Sequence, residues 1–438
     1  MNSAASGDIG ALLEHARQLA QQGQGDQAEQ ICAQILQTQP SQVEALNFIA
    51  MRALGRGQFA QATNMLQLAD LAQPNAQATL KNLAVVHAAA GDREAAEKTL
   101  QQAIEAAPEH YDLQLHLGGL QEQRGDGRAA LRTYLRAITA AQNQGYWLSA
   151  ASTPPALHAA VTHAMDFVHR GRQQILSAVL QPLRAQHGAA AMLRIERCLA
   201  MYLGDVPSTI ADAYQKPKFL YFPDLPTRAY FASDLFPWQV ELEKHTDIIR
   251  AEMQALLTEP DALEPFLGVP TPAEGDQYLR GGSQGAPAWD AFFFYRHGER
   301  QDANCARCPQ TAAIIDALPI VRIREHAPEI CFSVLTPGTH ILPHHGVTNT
   351  RLVTHLPLIV PEDCAIRVGG EEHSWQEGRC VTFDDTFEHE AWNRSQSTRV
   401  VLILDSWNPY LTEVERIAVT DLVGAIGDFN REFSLRGG

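Results

Sequence analysis

Val381-Thr-Phe-Asp384-Asp385-Thr-Phe-Glu388-His389-Glu390-Ala-Trp392-Asn393 is the stretch on which the reading of this chain turns. Upstream of it runs Ser333-Val-Leu-Thr-Pro-Gly-Thr-His340-Ile-Leu-Pro-His344-His345-Gly346, and then Thr348-Asn349-Thr350-Arg351-Leu352-Val353-Thr354-His355. Downstream, Arg399 opens an apolar run, Val400-Val-Leu-Ile-Leu404. These motifs lie among short runs rich in β-branched and aromatic residues, at 291–296, 330–335, 351–360, 365–368, 380–384 and 398–407, separated by Gly, Pro, Asp and Asn. Short strands with turn residues between them predict a β-sandwich or jelly roll.

In a jelly roll, residues from strands far apart in sequence converge at the mouth. A histidine from an early strand and one from a late strand can then meet on one metal, and an arginine one strand later can point into the same cavity. Its planar fork matches a carboxylate with two parallel hydrogen bonds. Two histidines followed by an arginine are the layout of a non-heme iron site that also holds 2-oxoglutarate. The usual third ligand is a carboxylate two residues after the first histidine, where this chain has Gly346. Either that ligand position is vacant by design, or Gly346 serves the backbone at a positive φ. Asp385 or Glu388 could replace the missing ligand. His340 and His345 are expected outside the metal shell, since one ligand per strand end suffices.

The region from Ser333 to Pro409 resembles the aspartyl/asparaginyl β-hydroxylases. It shares Pro-Gly-Thr-His340, Pro-His344-x-Gly, Thr-Asn-x-Arg351-Leu, His355-Leu, Phe-Asp-Asp-x-Phe-Glu-His389-Glu and an arginine before a strand ending Asp-x-Trp407. Lys216-Pro-Lys-Phe-Leu-Tyr-Phe-Pro-Asp-Leu-Pro looks like the start of the same domain, so the resemblance covers about 215–420. It implies an Fe(II)- and 2-oxoglutarate-dependent dioxygenase that uses O2 to hydroxylate Cβ of Asp or Asn in a peptide. It also implies two histidine ligands without a protein carboxylate, which Gly346 fits. Carried over, His344 and His389 bind the metal. Arg399 clamps the distal carboxylate of 2-oxoglutarate with Ser333 as hydroxyl partner, and His355 lies near its chelating end. Val353 departs from the family pattern, where some members place a second arginine. Arg351, two residues earlier and on the same strand face, is the candidate substitute. Tyr295 is expected to line the cavity.

The N-terminal third is organised differently. Gly23, Gly57, Gly91 and Gly125 recur at 34-residue intervals, as do Ala28, Ala62, Ala96 and Ala130, and Pro40, Pro74 and Pro108. That period is the tetratricopeptide repeat, a stacked helical hairpin. Glycine permits the turn after the first helix, alanine permits close helix approach, and proline ends the unit. The fold predicted is thus a two-part α plus β chain. A tetratricopeptide α-solenoid occupies 1–142 and a helical connector 143–214. A double-stranded β-helix (jelly-roll) oxygenase domain occupies 215–438. The solenoid is expected to engage a peptide or protein substrate.

A formal charge of −16 argues against nucleic acid as a general partner. No run of 18 apolar residues appears, so no membrane span is expected. Seven scattered cysteines, including an isolated Cys305-Ala-Arg-Cys308, do not form a disulfide framework and suggest a reducing cytoplasm. The rival readings are a halogenase, a small-molecule or acyl-chain hydroxylase on the same two-histidine site, a cupin-like zinc hydrolase, and a non-catalytic repeat scaffold.

Overall fold

The computed structural model describes residues 2–259, 261–268, 278–282 and 287–433. The chain divides into two compact units, 1–171 with 429–438, and 172–428.

The first unit is built from helical hairpins: α1 (Asn2–Gln21), α2 (Gly25–Thr38), α3 (Val43–Gly55), α4 (Phe59–Ala72), α5 (Gln77–Ala89), α6 (Arg93–Ala106), α7 (Tyr111–Gln123) and α8 (Gly127–Asn143). The periodic residues do what their chemistry dictates. Gly23, Gly57, Gly91 and Gly125 all turn at φ between 72° and 83°, a region an L side chain would strain. Ala28, Ala62, Ala96 and Ala130 are completely buried where paired helices touch. Asp92 and Asp126 cap α6 and α8 by accepting from the N–H of Ala95 and Ala129. A long helix follows, α9 (His158–Leu203), interrupted at Gly188. Its first turns place Val161, Ala164 and Val168 against Leu131, Tyr134 and Ile138.

The second unit contains two antiparallel sheets. Its strands are β1 (Tyr230–Phe231), β2 (Glu264–Pro265), β3 (Leu279–Gly281), β4 (Trp289–Arg296), β5 (Glu299–Arg300), β6 (Ile330–Leu335) and β7 (Thr339–His344). They continue with β8 (Arg351–Ile359), β9 (Cys364–Val368), β10 (Glu371–His373), β11 (Val381–Phe383), β12 (His389–Asn393) and β13 (Arg399–Trp407). The larger sheet runs β1-β11-β8-β13-β6-β4-β2, with β5 against β4, and the smaller runs β10-β9-β12-β7-β3. The strands expected from sequence are present. Missing from that expectation were the two- and three-residue strands β1, β2, β3, β5 and β10, and β7 and β12, whose Pro, His and Glu content hides a short strand.

Strand alternation sorts the core. On β13, Val400, Leu402 and Leu404 face a layer formed by α10 (Trp238–Lys244), α11 (Thr246–Leu256), α12 (Asp302–Arg307) and α13 (Pro309–Asp316). Val401 and Ile403 face the other way, towards Ile341, Ile366 and Ala391 of the smaller sheet. All seven cysteines are free thiols, Cys305 and Cys308 both buried in the helical layer. No helix among the described residues is long and apolar enough to cross a membrane.

The repeat packing gives a stability prediction. Ala62→Leu adds carbons where no space exists and should cost about 1–3 kcal/mol. Leu71→Ala, at a side chain 79% exposed, should stay within ~0.5 kcal/mol. Denaturant melts of the full chain check both.

Candidate active site

A cavity of about 380 Å³ lies between the two sheets. The larger sheet contributes Ser333, Arg351, Val353, His355, Arg399 and Asp405, and the smaller contributes Ile341, His344, Ile366, His389 and Ala391.

His344 and His389 are register partners across the β7–β12 ladder, with ring centroids 4.0 Å apart. Their placement depends on a bulge. Ala391 pairs with Ile341, two residues along β12 but three along β7. The extra residue brings His344 onto the same face as Ile341, and Pro343, which has no N–H to donate, sits within the irregular step of the strand. Each ring is oriented by a carbonyl two residues earlier. Nδ1 of His344 donates to Leu342 O at 2.8 Å, and Nδ1 of His389 to Phe387 O at 2.9 Å. A carbonyl can only accept, so the proton resides on Nδ1 and Nε2 keeps its lone pair. Burial above all pushes His344 down to about 3 and His389 down to about 4, so both are neutral at physiological pH. Two neutral imidazoles with free Nε2 lone pairs are in the state that ligates a metal.

Among the described residues no cluster of three or more His, Cys, Asp or Glu is arranged to hold a metal. Gly346 stands two residues after His344, where it offers no side-chain ligand. A Cβ there would lie 2.1 Å from Cγ of Asp385. Gly346 is not among the positive-φ residues, so the backbone reading of this glycine is corrected: the space is filled by a neighbouring carboxylate. The Gly346 N–H also donates to Asp385 O at 2.6 Å. Asp385 Oδ2 pairs with Arg351 at 3.3 Å, while its Oδ1 is buried without a partner. Asp384 has a different task. Gln215, the Thr386 N–H and the Thr386 hydroxyl all donate to it, pinning the loop before β12, and burial raises it to about 7.

At the far side of the cavity, Arg399 is 2% exposed. Its Nη1 donates to Ser333 O and Oγ at 3.3 and 3.4 Å, and its guanidinium lies over Trp375 at 5.1 Å. Nε has no partner, and no carboxylate pairs with this arginine among the described residues. Burial lowers it to about 10. A desolvated cation without a counter-ion is costly. The donor set therefore fits an anionic group that enters from the cavity. Ser333 Oγ also accepts from Trp289 Nε1 at 2.9 Å, which fixes the hydroxyl. His355 is buried next to this cluster with Nδ1 unsatisfied, and burial together with Arg399 holds it well below its usual range.

Arg351 does line the cavity beside Val353, as alternation required. It is already engaged, donating to Asp405 Oδ1 at 2.8 Å and paired with Asp385. The expectation for Tyr295 is corrected. A register shift between Phe293 and Tyr295 breaks the alternation of β4. Ala291 and Phe293 face inward, but Tyr295 turns into the helical layer, where its hydroxyl donates to Asp316 at 2.6 Å. His340 also points away from the cavity, bonded to Glu390 at 2.7 Å and edge-on to Trp392. Sequence reasoning missed the partners Trp289 and Trp375, and Asp405 as the counter-ion of Arg351. The Asp-x-Trp at the end of β13 was the available signal for the last.

Residues 243–409 match the family described as Aspartyl/Asparaginyl beta-hydroxylase, and residues 87–152 match the tetratricopeptide repeat. The chain is 34% identical over 266 residues to mouse aspartate beta-hydroxylase domain-containing protein 2, covering 59% of this chain and 73% of that one. It is 39% identical over 129 residues to human aspartyl/asparaginyl beta-hydroxylase, 29% of this chain and 17% of that one. It is 36% identical over 177 residues to the ornithine lipid ester-linked acyl 2-hydroxylase of Rhizobium tropici, 40% and 58% respectively. The second unit thus carries a hydroxylase domain behind tetratricopeptide repeats. The chain belongs to the aspartyl/asparaginyl β-hydroxylase family, and its hydroxylase relatives mark it as an enzyme.

The Gly346–Asp385 contact is testable. Gly346→Ala should lower metal affinity more than tenfold, because the new Cβ and the Asp385 carboxylate cannot share the space. Gly346→Asp combined with Asp385→Ala should bind metal better than Gly346→Asp alone. Calorimetric titration with Fe(II) or Mn(II) reads both.

Proposed function

We propose that this chain is an Fe(II)- and 2-oxoglutarate-dependent dioxygenase that hydroxylates an unactivated carbon, with the second unit folded as a double-stranded β-helix. The observation that carries this reading is Arg399, a buried cation with no carboxylate partner among the described residues, in the same cavity as two neutral imidazoles with free Nε2 atoms. A bare metal scaffold or a zinc hydrolase has no use for such an arginine.

In this reading His344 and His389 hold the iron, and Arg399 with the Ser333 hydroxyl holds the distal carboxylate of 2-oxoglutarate. His355, neutral and with Nδ1 unsatisfied, faces the co-substrate without adding charge. Bound iron supplies the oxidising chemistry. One oxygen atom of O2 enters the acceptor as C–OH, the other enters succinate, and CO2 leaves. The chain's own work is orientation and exclusion of water by the walls of Phe383, Ile366 and Ile403. Asp385 Oδ1, buried and unpartnered beside Gly346, is the acceptor this chain keeps available next to the two histidines that would hold the iron. Arg351, held by Asp405 and Asp385, positions that carboxylate and is not a clamp for 2-oxoglutarate.

We further propose that the repeat unit engages a protein partner through a groove of about 460 Å³ lined by Leu115, Leu120, Tyr134, His116 and Lys81, and that the protein resides in the cytoplasm, where its free thiols persist.

Succinate formation from 2-oxoglutarate should require added iron, and a hydroxylated product gains one oxygen, whereas a halogenase in chloride would exchange hydrogen for chlorine. His344→Ala and His389→Ala should each abolish iron binding while the fold persists by circular dichroism. Arg399→Ala should raise the KM for 2-oxoglutarate ~30-fold or more, as loss of a buried charge-assisted pair costs on the order of 2–5 kcal/mol. Arg399→Lys should recover only part of this, because the fork is lost. An unchanged KM would remove Arg399 from the co-substrate site.

A further inference from the structure

Strand register decides which side chains meet at the anion-binding end of the cavity. Leu335 of β6 is paired on one side with Trp289 of β4 and on the other with Arg399 of β13. Ser333, two residues earlier on β6, faces the same way. Its own direct partners are Ala291 and Val401. Ala291 is completely buried and carries a single methyl group, which leaves room for a large ring to reach across. Trp289 does so along the diagonal, a span within the range of an aromatic side chain, and its Nε1 donates to Ser333 Oγ at 2.9 Å. Arg399 makes the matching diagonal reach from the opposite strand, and its Nη1 donates to the same oxygen at 3.4 Å.

This convergence fixes what the serine can do. A serine hydroxyl has two lone pairs and one proton, whereas indole and guanidinium nitrogens can only donate. Two donors on one oxygen occupy both lone pairs. The hydroxyl proton finds no acceptor among the described residues, and Ser333 lines the cavity. Its O–H is therefore left to donate to whatever enters from that side, and a carboxylate is a pure acceptor. The indole contact is the shorter of the two and comes from a ring that is itself held in place. Trp289 is stacked on Phe266, with centroids 3.9 Å apart and planes 9° from parallel. Its ring centroid is also 6.2 Å from that of His344. One side chain thus touches the anion-binding end through its N–H and approaches the histidine pair with its ring. A wall residue that only filled space would need the area of an aromatic ring but not an N–H aimed at a serine.

We propose that Trp289 is a positioning residue for the co-substrate: its N–H holds the Ser333 hydroxyl as a donor, directed at the same distal carboxylate that Arg399 binds. This rests on the 2-oxoglutarate reading above. Trp289 acts through Ser333, with no bond of its own to the carboxylate. Without the indole N–H one lone pair of Ser333 Oγ is unfilled, and the hydroxyl can turn away from the cavity. Arg399 supplies the charge, Ser333 the second donor, and Trp289 the direction of that donor.

The test is a double-mutant cycle on the full chain loaded with Mn(II), read by calorimetric titration with 2-oxoglutarate. Trp289→Phe removes the N–H and keeps a ring against Phe266. It should raise the Kd for 2-oxoglutarate about fivefold, the worth of one hydrogen bond. Ser333→Ala should raise it roughly tenfold or more, since it removes a hydrogen bond to a charged group. The double variant should match Ser333→Ala alone, because Trp289 has nothing left to act through. Mn(II) affinity should stay at the wild-type value in Trp289→Phe, whereas a general loosening of the cavity wall would lower it. If Trp289→Phe fails to fold by circular dichroism, Trp289→Met, which also lacks the N–H and fills irregular space, carries the same expectation. Additive effects of the two substitutions overturn the proposal, as does an unchanged Kd in the tryptophan variant or a parallel loss of Mn(II) binding. A wild-type chain that binds Mn(II) but no 2-oxoglutarate fails at the earlier step and sinks the co-substrate reading itself.

Discussion

The cross-strand pairing of His344 with His389 is the constraint around which the second unit is arranged. A regular β7–β12 ladder would send His344 and Ile341 to opposite faces, because side chains alternate with period two. The extra residue in β7 cancels that alternation once, and both rings then face the larger sheet. The carbonyls of Leu342 and Phe387 fix the tautomers, so the same short segments supply both the ligands and the groups that orient them. Burial keeps both rings neutral, which protonated imidazoles packed at 4.0 Å could not tolerate.

The larger sheet answers this pair with a division of charge. On β13, alternation puts Arg399, Ile403 and Asp405 on the cavity side of one strand. The two charged ends are treated in opposite ways. Asp405 receives Arg351 from β8 and supports a closed, internally satisfied pair. Among the described residues Arg399 receives only neutral partners, Ser333 and the face of Trp375. Desolvation acts on both, raising Asp405 to about 6 and lowering Arg399 to about 10. Only the second is left with unspent attraction, so an anion is drawn to one end of the cavity and repelled from the other.

Much of this was legible in the sequence, for identifiable reasons. The 34-residue period survives because each repeat must place a small residue and a left-handed turn at the same point. The long apolar strands β6, β8 and β13 declare themselves because both of their faces are buried. What escaped were the departures from period two. The bulge in β4 moved Tyr295 into the helical layer, away from the cavity where the family resemblance placed it. The short strands β7 and β12 carry the two histidines yet have a polar composition, so the motif was readable while its strands were not. Bulges depend on where a partner strand needs one residue fewer, and one strand's sequence does not record that.

Gly346 shows how a gap in a motif can mislead when each position is read alone. From sequence, the absence of a side chain two residues after His344 looks like an empty ligand site. In the fold that space belongs to Asp385, which arrives from the loop before β12 and whose backbone carbonyl also receives the Gly346 N–H. The glycine and the aspartate are thus one feature written in two places. A carboxylate on β7 would sit rigidly at the strand end. A carboxylate from the opposite loop, held on one oxygen by Arg351 and free on the other, can take a hydrogen bond without giving up its ion pair. That arrangement keeps negative charge near the histidine pair while leaving Nε2 of both rings unobstructed by a third side chain from their own strands.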